Sequence, residues 1–231
     1  MNLEDIHANP TEDDLVSFVA NTSPLLVFSL SSWQDKFLLH RVARLLRPGS
    51  VVVEIGTYLG GSAAILAHAN PALEINSYDL YDSHKLYDKN HYTIVETALG
   101  KGQIRTLENV KEHVSRYPNI KLHQVDDNEA IKFERQVDLL LEDSSHQEPQ
   151  LTVSLSNWLP KIKVGGILMI HDYRPWGSNE NHELRHLPVD RHVELLSNDD
   201  TWKFLGPVTN NLFLRQAPCQ PSSFAIFQRI K

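Results

Sequence analysis

The chain switches repeatedly between two hydrophobic rhythms. Residues 50–56 (SVVVEIG) form a nearly continuous apolar run, the pattern of a strand buried on both faces. The run stops at Gly56. After Gly60 and Gly61 the segment SAAILAHA carries small and apolar residues in the manner of a helix. The same switch recurs downstream. LEINSYDL (73–80) predicts a second strand, residues 103–116 (QIRTLENVKEHVSR) an amphipathic helix, NIKLHQVD (119–126) a third strand and VDLLLED (137–143) a fourth. QLTVSLSNWLPKI (150–162) follows as a helix and GGILMIHD (165–172) as a fifth strand.

The flanks add helices and a hairpin. Residues 11–20 (TEDDLVSFVA) predict a short helix with an acidic first turn. SSWQDKFLLHRVARLLRPG (31–49) predicts a longer one. Ser32 and Asp35 have capping-box spacing, Phe37, Leu38, Val42, Leu45 and Leu46 recur at helical intervals, and Pro48 with Gly49 ends it. After Asp172 comes a polar loop rich in His and Asn, then a short helix (VDRHVELL, 189–196). Residues 201–215 and 222–229 alternate apolar and polar around a Pro-containing turn, which predicts an antiparallel hairpin closing one edge of a sheet. Alternation of strands and helices at these lengths predicts an α/β fold. It would be a doubly wound, mostly parallel, seven-stranded Rossmann-like sheet with an antiparallel C-terminal hairpin and helices on both faces.

No internal repeat or low-complexity linker divides the chain, and 231 residues suit one domain, 1–231. Within it, 1–31 reads as an N-terminal helical extension capping the substrate and 32–172 as a cofactor-binding core. Residues 173–188 read as an active-site loop, and 189–231 as the C-terminal helix and hairpin. The net charge of -7, without a basic patch, argues against a nucleic-acid partner. No run approaches the ~18–20 apolar residues of a membrane span. The N-terminus lacks the basic start and apolar stretch of a secretory signal. Cys219 is the single cysteine, which excludes an internal disulfide and a cysteine-built zinc site and fits a reducing compartment. The expected location is the cytoplasm.

In an open α/β sheet, ligands bind beyond the carboxyl ends of the strands. Gly56, Gly60 and Gly61 clear side chains from the end of the first strand, where the backbone bends or meets a ligand. Their spacing is not the dinucleotide Gly-x-Gly-x-x-Gly. The ring of Tyr58 in mid-turn suits an amino-acid or nucleoside ligand better than a pyrophosphate. Asp79 ends the second strand, placed to accept both hydroxyls of a ribose. Asp126, Asp127 and Asn128 end the third, with polar groups suited to an adenine edge. Taken singly, the glycines read as an ordinary turn and Asp79 as a strand-end turn residue. Three strand ends together offer the parts of an adenosine site.

The segment EIGTYLGGS (54–62) resembles the first motif of class I S-adenosylmethionine (SAM)-dependent methyltransferases. It is most similar to the small-molecule O-methyltransferases related to catechol O-methyltransferase and to macrocin-type enzymes. The resemblance continues through VDLLLEDSSHQEP, WLPKIKVGGILMIHDY and the terminal hairpin, over residues 32–215. It implies that Glu54, Gly56, Tyr58, Gly60 and Ser62 line the methionine and ribose part of SAM. It further implies that Asp79 holds the ribose and that Asp126 and Asp127 sit near adenine.

The fourth and fifth strands would end side by side, bringing Asp143 and Asp172 together with His146 and His171 close by. Two converging carboxylates repel unless a cation or proton lies between them, and oxygen ligands in an open site suit magnesium. A divalent ion would lower the pKa of an acceptor hydroxyl. The resemblance implies a metal-binding acid at the end of the fourth strand and an acid pair or Asp-Asn pair at the end of the fifth. The expected ligands are Asp143, His171 and Asp172. His171 departs from that pattern and admits manganese, iron or zinc beside magnesium. His146, where some relatives carry a catalytic Lys, is the expected general base, acting with Asp143. The plainer readings are a capping or packed His146, a backbone-bonded His171 and a helix-capping Asp143.

HELRH (182–186) matches the His-Glu-x-x-His zinc-protease pattern, but Pro188 follows almost at once and no third ligand is evident. A lid with Trp176, His182 or His186 touching the acceptor reads better. The expected activity is SAM-dependent methyl transfer to a hydroxyl of a small molecule of sugar, glycoside or phenol type, walled by Tyr81, Tyr87 and Tyr92. A nucleotide- or NAD-binding domain and a non-catalytic methyltransferase-like module are the alternatives. A homodimer is a habit of the family it resembles.

Overall fold

The protein is described by a computed structural model. It covers residues 4–8, 31–81, 104–125, 132–173, 187–208 and 222–231, with 11, 13, 14, 16, 18, 95, 96, 99 and 101 besides. The helical turn α1 (Glu4–His7) and helix α2 (Trp33–Leu45) precede β1 (Val51–Ile55), α3 (Gly61–Ala69) and β2 (Glu74–Asp79). Then come α4 (Leu107–Val114), β3 (Ile120–Gln124), β4 (Val137–Glu142) and α5 (Gln150–Trp158), whose end tightens into a 3-10 turn. The chain closes with β5 (Ile162–Ile170), α6 (Leu187–Ser197), β6 (Trp202–Gly206) and β7 (Ala225–Arg229). The strands form one seven-stranded sheet in the order β3-β2-β1-β4-β5-β7-β6. β1 to β5 run parallel; β7 is antiparallel to both β5 and β6. The order reverses between β1 and β4, the point where such sheets open a crevice for ligands.

The expected doubly wound sheet with its terminal hairpin is therefore observed, with shifts at element ends. The Ser32–Asp35 capping box forms at the start of α2. The helix expected over 103–116 begins only at Leu107, because the Thr106 hydroxyl accepts the Asn109 N–H (3.2 Å) and caps it there. β5 starts at Ile162 rather than Gly165, with a register shift against β4 between Val137 and Leu139. Residues 13, 14, 16 and 18 of the expected N-terminal helix are helical. Tyr87, Tyr92, Asp126, Asp127, Asn128, Trp176, the HELRH segment and Cys219 lie outside the described residues. Among the described residues no helix is long and apolar enough to cross a membrane.

Alternate strand residues bury into two cores. Val52, Ile75, Leu139, Leu141 and Met169 meet α2 and α3 through Leu38, Val42, Ala63 and Leu66. Val53, Ile55, Leu140, Leu168 and Ile170 meet Leu151, Leu155 and Trp158 of α5 and Val189 and Val193 of α6. All five residues of β1 are buried, Glu54 with its apolar neighbours, as in a strand covered on both faces.

The glycine turn is fixed by close approach. Gly56 has φ +93°, and a Cβ built there would lie 2.0 Å from the Asp143 carbonyl oxygen. The Gly56 N–H donates to the Tyr78 carbonyl, and the Asp143 N–H donates to the Ile55 carbonyl, each at 2.8 Å. Gly60, at φ +82°, would place a Cβ 2.6 Å from Cγ1 of Val114 in α4. Beneath the turn a buried chain of donors ends at Glu54. The Tyr81 hydroxyl donates to Thr57 (3.0 Å), and the Thr57 and Ser77 hydroxyls lie 2.6 Å apart. Ser77 and Ser62 then donate to the two Glu54 oxygens. Burial pushes the Glu54 pKa up to about 8, against those two hydroxyls and helped by the charges of Asp143 and Asp79.

Gly56→Ala is expected to lower stability by about 3 kcal/mol or more, roughly 6–12 °C in melting temperature, since backbone itself obstructs the methyl. Gly49→Ala, with φ +78° and no atom of the described residues within 4 Å of its Cβ, isolates the cost of the left-handed backbone. It should cost about 1–2 kcal/mol in thermal melts. Glu54 binds its proton more tightly in the folded chain than in the unfolded one. Its contribution to stability should therefore fall as pH rises from the ordinary carboxyl range to about 8. Urea midpoints of wild type and Glu54→Gln should diverge over that interval to the disadvantage of wild type. A pH-independent difference would refute the raised pKa.

Candidate active site

The glycine turn and three strand ends meet along the β1/β4 crevice. β2 delivers Asp79, which four donors hold among the described residues. Oδ2 accepts the backbone N–H groups of Thr57 (2.9 Å) and Tyr58 (2.8 Å) and Nη1 of Arg105 (2.8 Å). Oδ1 accepts the N–H of Tyr81 (2.8 Å). The Arg105 side chain is 1% exposed, and its guanidinium lies 5.7 and 5.9 Å from the ring centroids of Tyr58 and Tyr81. Both tyrosines take left-handed backbone, φ 50° and 53°. The sequence placed Asp79 as an open acceptor for two ribose hydroxyls; the folded carboxylate already holds four donors. Arg105 escaped sequence analysis, because nothing local links it to an acid 26 residues earlier in the chain.

Glu54, Gly56, Tyr58, Gly60 and Ser62 all belong to the turn or to the strand and helix it joins. Their surroundings differ. Tyr58 is half-buried at the surface of the turn, while Glu54 is fully buried and Ser62 nearly so, each satisfying the other. Gly56 faces the backbone of β4 and Gly60 faces α4.

The ends of β4 and β5 lie together, the His171 N–H donating to the Glu142 carbonyl at 3.0 Å. This brings all four expected residues into one group. His171 Nδ1 is 2.9 Å from Asp143 Oδ1 and 3.3 Å from Asp172 Oδ1. His146 approaches Asp172 Oδ2 through Nδ1 (3.5 Å) and Asp143 Oδ1 through Nε2 (3.9 Å). One donor atom each from Asp143, His146 and His171 falls within 4.8 Å of the others, a spacing one cation could bridge, with Asp172 beside them. Asp172 also adopts left-handed backbone, φ 57°, at the turn off β5.

A residue read only as a helix cap completes the group. Asp35, 2% exposed, sits 3.6 Å from His171 Nε2 through Oδ2. It also accepts the Ser32 hydroxyl (2.5 Å), the Ser222 hydroxyl (2.9 Å), the Ser223 N–H (2.8 Å) and the Ser223 hydroxyl (3.1 Å). Burial alone would raise its pKa, but His171 and these hydroxyls bring it down to about 2. Burial alone would likewise lower the pKa of His171. The charges and hydrogen bonds of Asp143 and Asp35, with Asp172, hold it well above the usual value. Glu142 is a second buried acid the sequence did not single out; Ser144 (2.5 Å) and Ser154 donate to it. The whole arrangement can hold a cation, or take a proton, directly beside the glycine turn.

A search of curated proteins by sequence gives no match. Several solved structures are similar in fold. The O-methyltransferase TomG from Streptomyces achromogenes, involved in tomaymycin synthesis and solved with SAM, is 14% identical, with 100% of both chains covered and a TM-score of 0.55. An O-methyltransferase from Bacillus cereus, solved with S-adenosylhomocysteine (SAH), is 14% identical, covering 96% of this chain and 92% of that one at a TM-score of 0.54. An rRNA methylase from Streptococcus thermophilus is also 14% identical, covering 85% of this chain and 97% of that one at 0.53. A methyltransferase-domain family profile matches residues 53–173. That segment runs from β1 past the end of β5, takes in the glycine turn and the Asp143 group, and spans more than half of the 231 residues. The chain belongs to this methyltransferase-domain family.

Proposed function

We propose that the protein transfers a methyl group from SAM to a hydroxyl of a small molecule. The donor would lie over the turn at 56–61 and the acceptor at the Asp143 group. One observation carries this reading: the backbones of Gly56 and Asp143 are in contact. A ligand seated on the turn therefore has its reacting end beside the carboxylates and imidazoles of β4 and β5. Alignment of the two reacting atoms is the largest task in such a displacement.

SAM brings a methyl on a positively charged sulfur. The acceptor oxygen forms the new O–C bond as the C–S bond breaks. The electron pair stays on sulfur, which leaves as the neutral thioether of SAH. His146 takes the hydroxyl proton, and Asp172 and Asp143 face the imidazolium that results. Asp143 and His171 would hold a divalent ion in place of the proton that the neighbouring acids otherwise keep on His171, and the ion would supply Lewis acidity to the hydroxyl. The imidazole in that pair favours manganese, iron or zinc over the magnesium expected from oxygen ligands alone. The partly exposed acids Asp143 and Asp172 and a net charge of -7 support a neutral hydroxylated acceptor, of sugar, glycoside or phenol type, over a polyanion.

Calorimetric titration should give saturable binding of SAH and none of NAD; NAD binding without SAH binding would reverse the donor assignment. Asp143→Ala should retain SAH affinity within about threefold. It should lose on the order of 10²-fold or more in methylation of a hydroxylated acceptor panel by labelled SAM. EDTA should silence wild type, and manganese or zinc should restore it better than magnesium. Full activity in EDTA would remove the metal.

A further inference from the structure

We infer that Arg105 is the positioning residue of the donor site, fixing the Asp79 carboxylate so that a single acceptor place, on Oδ1, is offered to the donor's ribose. This rests on the proposed SAM reading. The asymmetry of the carboxylate carries the argument. Oδ2 receives three donors: two N–H groups of the glycine turn and Nη1 of Arg105. Among the described residues Oδ1 receives only the Tyr81 N–H, which leaves one of its two acceptor places for a ligand. The side chain keeps 10% exposure. One ribose hydroxyl, rather than two, then meets this acid.

Arg105 suits the task for physical reasons. It is buried to 1% exposure beside a nearly buried carboxylate, so removing it leaves a desolvated charge without its counter-ion. Nη1 also lies 3.4 Å from the Tyr58 carbonyl, so one planar group touches both the acid of β2 and the turn after β1. The rings of Tyr58 and Tyr81 flank the guanidinium and restrict it. Arg105 precedes the Thr106 cap of α4, and α4 presses Val114 against Gly60. One helix thus delivers both the apolar packing of the turn and the cation that orients its acid. Lysine, a flexible point charge, would keep the ion pair and lose the planar fit beside the two rings.

The test is SAH binding by Arg105→Ala, Arg105→Lys, Asp79→Asn and the Asp79→Asn/Arg105→Ala double variant, with calorimetric stoichiometry and melting curves beside each. Arg105→Ala should weaken SAH about ten- to a hundredfold, the loss of a charge-assisted contact. Arg105→Lys should recover part of the loss. In the Asp79→Asn background the alanine substitution should add less than about twofold, because Arg105 acts through that acid. A merely structural role would lower the melting temperature and the bound fraction while leaving the affinity of the folded fraction unchanged. That result overturns the inference, as do additive losses or tighter binding by Arg105→Ala. Should Arg105→Ala not fold, Arg105→Lys with unchanged affinity overturns it equally. Wild type that binds no SAH overturns the donor assignment and this role together, whereas normal wild-type binding with additive losses overturns Arg105 alone.

Discussion

Where the strand order reverses between β1 and β4, two backbones are in contact. Gly56 leaves β1 at φ +93° and lies against the carbonyl of Asp143, with no room for a methyl group between them. The parallel register of β1 with β4 sets this up, pairing Ile55 with Glu142, and the Asp143 N–H continues the ladder onto Ile55. The glycine turn and the acidic strand ends are consequently one rigid unit. Where the turn goes, the acid of β4 goes with it, and through the β4–β5 ladder so do His171 and Asp172.

Around that unit the protein gathers more acids than a crevice would tolerate unassisted, and it neutralises each differently. Asp79 has Arg105. Asp35, Asp143 and Asp172 surround the imidazole of His171. Glu54 and Glu142 are buried among serine hydroxyls, and burial drives the Glu54 proton affinity up. A buried charge without a partner is costly, so each pairing also fixes geometry. The orientation of the site comes from these pairings as much as from the strands.

Asp35 shows how far the fixing reaches. It caps α2 through Ser32, bonds Ser222 and Ser223 at the approach to β7, and faces His171 at the end of β5. Strand β7 lies between β5 and β6, so this one carboxylate ties the start of α2 to the inserted strand and to the acidic group. The layout resembles a keystone position: the elements it joins are remote in the chain and adjacent only once the sheet is complete.

The order of the elements, the parallel sheet, the terminal hairpin, the glycine turn and the grouping of Asp143, His146, His171 and Asp172 were legible from residue patterns. Apolar runs, helical spacing and strand-end position are local properties, and a parallel sheet puts the ends of neighbouring strands on one side. The partners of those residues were not legible. Arg105 meets Asp79 and Ser222 meets Asp35 across 26 and 187 residues of sequence, and no local signal pairs them. The need for glycine at position 56 was visible, but what it makes room for was not: the space it clears is filled by the chain's own Asp143 backbone. Sequence fixes which groups stand at the strand ends, because that follows from periodicity. Only the tertiary structure decides which of them are committed to one another, because burial and counter-charge depend on what the fold brings alongside.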